Sequence, residues 1–116
     1  MNQPVPKISD ADVERLVRRE FPLDADKALA VLNEYGIKEY HREPARVKVA
    51  VLRMAGGDLK RLRSYVDLAK TDYRDVLAPA EYPVYFRTIG ASSTQADKDR
   101  AVAEDWRQYS SWVRGG

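Results

Sequence analysis

The sequence predicts an all-α, single-domain irregular bundle of about five helices. In the stretch 58–83, six apolar side chains recur with gaps of three and four residues, which is the spacing of one buried helix face. They are Leu59, Leu62, Val66, Ala69, Tyr73 and Val76. Prolines, glycines and capping residues separate the other amphipathic segments. The length of 116 residues suits one domain that can bury about two thirds of its unfolded surface.

The N-terminal segment predicts a tail followed by a first helix. Residues 1–8 carry two prolines and little apolar content, so we expect a flexible tail there and the helical domain over 9–114. Ser9 has the right side chain for an N-cap, and Asp12 stands where the second member of a capping box belongs. Pro22 is expected to end this helix.

The second and third helices are predicted on either side of a polar linker. Asp24 is expected to begin the second helix and Gly36 to cap its C-terminus. Pro44 suits the first turn of the third helix. The alternating valines within 47–52 also fit a strand. We favour a helix, because the segment is long and no partner strand is evident.

A long fourth helix is predicted from Asp58 to about Ala78. Asp72 is able to cap a new helix, but the apolar register continues through it unshifted, which favours one continuous helix. Pro79 is expected to end or kink the regular helix. The aromatic segment 81–87 is expected to fold back over the core without regular structure.

The C-terminal segment predicts a final helix of about five turns. Thr94 and Asp97 repeat the capping pattern at its start. Its apolar stripe consists of Val102, Trp106, Tyr109 and Val113.

Composition and motifs argue against catalysis and against a cofactor. The chain has no cysteine, which excludes disulfides and thiolate zinc sites. Its one histidine, His41, lies in a polar linker and has no neighbours at metal-ligand spacing. We find no nucleophile–base pairing and no phosphate loop. We therefore predict a protein that is not an enzyme and that holds no cofactor or metal.

The chain also lacks an apolar signal core and any apolar run of membrane-spanning length. These features predict a cytoplasmic protein with no membrane partner.

The segment 72–86 is the leading candidate for an interaction surface, because it combines charges with the aromatic side chains that interfaces favour. The candidate residues are Asp72, Arg74, Asp75, Glu81, Tyr82 and Tyr85. They predict a regulatory or adaptor domain that binds an unidentified protein or a second copy of itself. The alternative is that these aromatic side chains only cover the core.

A basic patch is the second candidate surface. The net charge of +2 is too balanced for a dedicated polyanion binder, yet residues 38–70 hold nine Lys or Arg against four Asp or Glu. The candidate residues are Arg42, Arg46, Arg53, Lys60, Arg61 and Arg63. If they gather on one side of the third and fourth helices, they predict weak nucleic-acid binding without sequence specificity.

The string DYRDVLAPAEYP over 72–83 resembles a segment, DYRDVLAxAEYP, of a group of short bacterial helical proteins with no assigned function. The matching positions are Glu43, Pro44, Arg46, Val47, 57–59, 72–77 and 80–83. A Trp-Tyr-Trp C-terminal helix is similar as well. The resemblance implies a small helical bacterial protein and no particular activity. Pro79 stands at the variable position of the segment.

Overall fold

The computed structural model describes residues 7–38 and 43–115 and contains seven helices in these ranges. They are α1 (Asp10–Glu20), α2 (Ala25–Leu32), α3 (Pro44–Ala55), α4 (Leu59–Asp72), α5 (Arg74–Glu81), α6 (Pro83–Thr88) and α7 (Gln95–Arg114). This part of the chain has no strand, so the all-α prediction is confirmed. The expected number of about five helices is wrong, because the stretch 58–88 forms three helices instead of one.

Helix α3 lies at the centre and packs against α1, α4 and α5. Its buried side chains point in all directions around the axis: Val47, Val49, Ala50, Val51, Leu52 and Ala55. A helix with buried side chains on every side is one that other elements surround. This burial explains why the valines in 47–52 alternate as they would in a strand, and the helical interpretation is confirmed.

The predicted continuous helix from Asp58 to Ala78 is interrupted at Tyr73, which separates α4 from α5. The Asp72 carboxylate accepts a hydrogen bond of 3.0 Å from the backbone N–H of Arg74 and so supports a new helix start. Pro79 lies inside α5, and the helix continues to Glu81. The expected ending at Pro79 is therefore wrong, although the proline removes one backbone donor there.

The segment 81–87, expected to be irregular, is mostly helical: Glu81 ends α5, and the residues after Tyr82 belong to the short helix α6. Pro83 occupies its first turn. The cap comes from α7, where the buried Asp105 carboxylate accepts from the backbone N–H groups of Val84 (2.8 Å) and Tyr85 (2.9 Å). A carboxylate at a helix N-terminus satisfies donors that have no partner within the helix.

The start of α1 follows the predicted capping box. The Ser9 hydroxyl accepts from the Asp12 N–H at 3.2 Å, and the Asp12 carboxylate accepts from the Ser9 N–H at 3.0 Å. Of the predicted tail 1–8, residues 1–6 lie outside the described ranges. Ile8 packs against the core and therefore belongs to the folded part.

Helix α2 ends at Leu32, earlier than the predicted stop at Gly36. Gly36 still has a positive φ of 96°. A Cβ atom at this position would lie 2.9 Å from the Cβ of Pro44. Glycine is thus required where the chain after α2 approaches the start of α3 closely.

Helix α7 begins with the predicted capping box of Thr94 and Asp97. Val102 and Tyr109 of its predicted stripe are buried, whereas Trp106 is 39% exposed. The helix packs chiefly on α6 and, less extensively, on α5. Within the described ranges, no helix combines the length and the apolar character needed to cross a bilayer.

Glu34, just after α2, anchors that region to α4, and this anchor should make stability depend on acid pH. Its carboxylate accepts from Arg63 at 2.7 and 2.5 Å and from Lys70 at 2.9 Å. These hydrogen bonds lower the pKa of Glu34 from 4.5 to about 2. A lowered pKa in the folded state adds stability that is present above the unfolded pKa and is lost as pH falls towards 2.

We therefore expect Glu34→Gln to unfold more easily at neutral pH and to lose less stability than the wild type between pH 4.5 and 2. Urea denaturation across this range measures the difference. Glu14→Gln is the control, because Glu14 is exposed and lies 3.6 Å from Arg18. Identical pH slopes for the wild type and Glu34→Gln would contradict the assignment.

Candidate functional site

A groove between α5 and α6 brings much of the predicted interaction segment together. Its volume is about 230 Å³, and Arg46, Arg74, Leu77, Ala78, Glu81, Tyr82, Tyr85 and Phe86 line it. The α5 residues follow helical spacing of three and four, so they share one face. The chain then turns at Tyr82, and α6 places two rings, Tyr85 and Phe86, on the other side, edge to face at 5.6 Å.

The predicted interaction residues lie in or near this groove. Arg74, Tyr82 and Tyr85 line it. Asp72 lies beside it and pairs with Arg74 at 3.1 Å in an exposed contact. Asp75 is exposed but is not part of the lining.

Glu81 needs correction as a member of an exposed interaction surface, because only 3% of it is accessible. Phe86, which was not among the predicted residues, is 64% exposed and is the most accessible apolar side chain of the groove. The sequence feature that points to Phe86 is the high density of aromatic residues in 82–86.

Glu81 forms a buried two-point ion pair with Arg46 of α3 at the base of the groove. Arg46 donates from Nε to Oε2 at 2.9 Å and from Nη2 to Oε1 at 2.7 Å. Glu43 accepts a further hydrogen bond from Arg46 at 3.0 Å. The hydrogen bonds to Glu81 raise the pKa of Arg46. This geometry satisfies both carboxylate oxygens and fixes α5 to α3.

Tyr82 borders this ion pair, and its phenol stays protonated. Burial raises its pKa above the ordinary value, and the neighbouring Glu81 charge raises it further. A protonated phenol at the edge of a groove both donates and accepts hydrogen bonds.

A second polar cluster lies where α7 meets α3. The Arg53 guanidinium stands 5.2 Å from the ring centre of Tyr109 and 5.6 Å from that of Trp112. Burial lowers the pKa of Arg53 and raises that of Tyr109. Within the described ranges, Nη1 of Arg53 and the Tyr109 hydroxyl are buried without a hydrogen-bond partner.

Of the predicted basic residues that the structure describes, two do not belong to an open cationic face. Arg46 is paired in the groove and Arg53 lies against aromatic rings, so the expectation is wrong for these two. Arg63 binds Glu34. Lys60 and Arg61 are exposed in the first turn of α4. Arg42 lies outside the described residues, and weak nucleic-acid binding stays a prediction.

No group of three or more His, Asp or Glu side chains able to hold a metal ion occurs in residues 7–38 and 43–115. His41 lies outside these ranges. The predictions that the chain is not an enzyme and takes no cofactor remain untested.

Comparisons of the chain with protein-family models, with curated proteins and with solved structures gave no match. The resemblance to short bacterial helical proteins therefore stays a prediction.

The buried ion pair predicts a contrast between single and double variants. Glu81→Gln should lower the free energy of unfolding by about 3 kcal/mol, because Arg46 is left partly buried without its main counter-charge. Arg46→Met combined with Glu81→Leu should recover most of this loss, because both charges and their desolvation are removed together. Urea denaturation measures both effects.

Asp72→Asn is the matched control for this experiment, because it removes the charge of an exposed ion pair beside the same groove while its amide oxygen still accepts from the Arg74 N–H, so stability should stay unchanged within error. A double variant as unstable as Glu81→Gln would show that the shape of the two side chains, and not their charge, stabilises this junction.

Proposed function

We propose that this chain is a non-catalytic, cytoplasmic protein-interaction domain that binds its partner in the groove between α5 and α6. The observation that carries the proposal is the 64% exposure of Phe86 beside Tyr82, Tyr85 and Arg74. Tyrosine, phenylalanine and arginine are the side chains that protein interfaces favour, since they combine large contact area with a polar group.

The groove suits one side chain of a partner protein better than a separate small ligand. Its volume of about 230 Å³ is below the roughly 300–1,000 Å³ of small-molecule pockets. Its α5 side is also pre-organised, because the buried Arg46–Glu81 pair fixes α5 to α3. Rigid surroundings reduce the ordering cost of binding.

The charges of the lining favour an acidic neighbour to that side chain. Arg46 and Glu81 neutralise one another, so Arg74 is the remaining charge among the lining residues. The carboxylates of Asp72 and Asp75 lie outside the lining beside it. Arg74 is 76% exposed, and its contact with Asp72 is of the exposed kind that contributes little. We therefore propose a partner segment with an apolar side chain next to a carboxylate.

Selection from a displayed random-peptide library, with the purified chain as bait, tests this chemistry. We expect the enriched peptides to share an apolar residue beside Asp or Glu. Phe86→Ala should weaken their binding at least tenfold, because a central aromatic contact is lost. Arg74→Gln should weaken the binding and reduce its salt dependence.

Leu23→Ala is the control, because Leu23 is 95% exposed but is not among the residues that line the groove. Peptides that bind wild type and Phe86→Ala equally would refute the groove as the binding site. The other possible occupant of the groove is a second copy of this chain, and sedimentation of the purified chain at increasing concentration tests it. If the chain forms a dimer that Phe86→Ala abolishes, and no peptide is enriched, the second copy replaces the proposed partner.

A further inference from the structure

Helices α6 and α7 are joined as one unit by Asp105. Only 1% of this residue is exposed, and each carboxylate oxygen accepts one backbone N–H from the first turn of α6. Helix α7 also packs more extensively on α6 than on any other helix. Separating the two would leave a carboxylate without its hydrogen-bond donors, so any movement of α7 takes α6 with it.

The C-terminal end of α7 reaches the rest of the molecule through arginines of α1. Arg19 donates to the Trp112 carbonyl and Arg15 to the Val113 carbonyl, both at 2.7 Å. The Arg19 guanidinium also lies 4.8 Å from the Trp112 ring centre. Cations at a helix C-terminus and over an indole ring stabilise this docked position.

The same docked position has an unfavourable component. Nη1 of Arg53 and the hydroxyl of Tyr109 are buried there without a hydrogen-bond partner among the described residues. A buried polar atom that loses its hydrogen bond to water destabilises the state that buries it. Undocking α7 from α3 would return both atoms to water, but it would also expose the Tyr109 ring, which is buried in the core, so the docked position is the more stable one.

The link between this pair of helices and the remainder of the fold is short. Tyr82 alone separates α5 from α6, with φ −130° and ψ 44°, outside the helical region. Rotation at this residue would change the distance between α5 and the rings of Tyr85 and Phe86, which are opposite sides of the groove.

We propose that α6 and α7 swing as one hairpin about Tyr82, and that docking of α7 on α1 and α3 sets the width of the α5–α6 groove. The hairpin motion does not depend on the proposed function. Only the inference that this motion regulates partner binding rests on the proposed function. A ligand that binds one groove width more tightly than another must shift the docking equilibrium of α7 by that difference in binding free energy.

Hydrogen–deuterium exchange of the full chain tests the motion. Arg19→Gln should increase the exchange of amides in α7 about tenfold and leave α3 unchanged, because it removes a charged hydrogen bond and a cation–π contact. Arg18→Gln is the matched control, since Arg18 is the neighbouring arginine and pairs only with Glu14 in the described contacts. Tyr109→Phe should slow α7 exchange about fivefold, because the buried hydroxyl without a partner is removed.

Groove width is measured separately with two spin labels. The chain has no cysteine, so Asp75→Cys and Arg87→Cys, both exposed, allow labels on α5 and α6 alone. Their distance distribution should broaden in Arg19→Gln, narrow in Tyr109→Phe and stay unchanged in Arg18→Gln.

The proposal would be overturned if the variants changed the exchange rates of α7 and α3 equally. It would also be overturned if the distance between the spin labels were the same in Arg19→Gln and in the wild type. Neither measurement uses a partner, so a failed peptide selection would refute the proposed function while leaving the hairpin result intact.

Discussion

The structure depends on the burial of α3 on every side. A helix in that position leaves little solvent for its charged residues: Lys48 reaches an exposed contact with Asn33, whereas Arg46 and Arg53, two turns apart, lie against neighbouring helices. Each guanidinium must therefore be compensated by a neighbouring helix, and the two are compensated differently. Arg46 receives a carboxylate with two matched hydrogen bonds, whereas Arg53 receives two aromatic faces and has a buried nitrogen with no hydrogen-bond partner among residues 7–38 and 43–115.

This difference divides the molecule into a firm junction and a weaker one. A two-point arginine–carboxylate pair is directional and holds α5 against α3 in one geometry. Cation–π contacts are less directional, and the unsatisfied Tyr109 hydroxyl opposes the packing that they favour. The two sides of the groove consequently differ in rigidity: α5 is fixed to the core, and α6 follows α7.

Most of the fold that local rules govern could be predicted from the sequence. The capping boxes at Ser9 and Thr94 and the helical nature of 47–52 depend on neighbours within one or two turns, and the structure has them. The missed features depend on distant residues. Helix α6 needs the carboxylate of Asp105, which is 20 and 21 residues from the amides it caps.

The same limit applies to the candidate site. Glu81 and Arg46 are 35 residues apart, and nothing near Glu81 in the sequence distinguishes a buried partner from a solvated acid. A charge in an amphipathic segment is usually solvated, so surface placement was the natural expectation. The aromatic density of 82–86 did indicate the right region, because that signal is local.

Ion pairs within the chain also determine which charged side chains are free to contact a binding partner. Arginines that suggested a phosphate-binding face are engaged by Glu81, by Glu34 and by the rings of Tyr109 and Trp112. A cation already matched by a neighbouring carboxylate releases few counterions on meeting nucleic acid, and such release drives non-specific binding. Arg74 is also paired, with Asp72, and differs from the others in lying next to accessible apolar surface. The proposed partner segment, with an apolar side chain beside a carboxylate, matches this arrangement of a cation next to an aromatic groove.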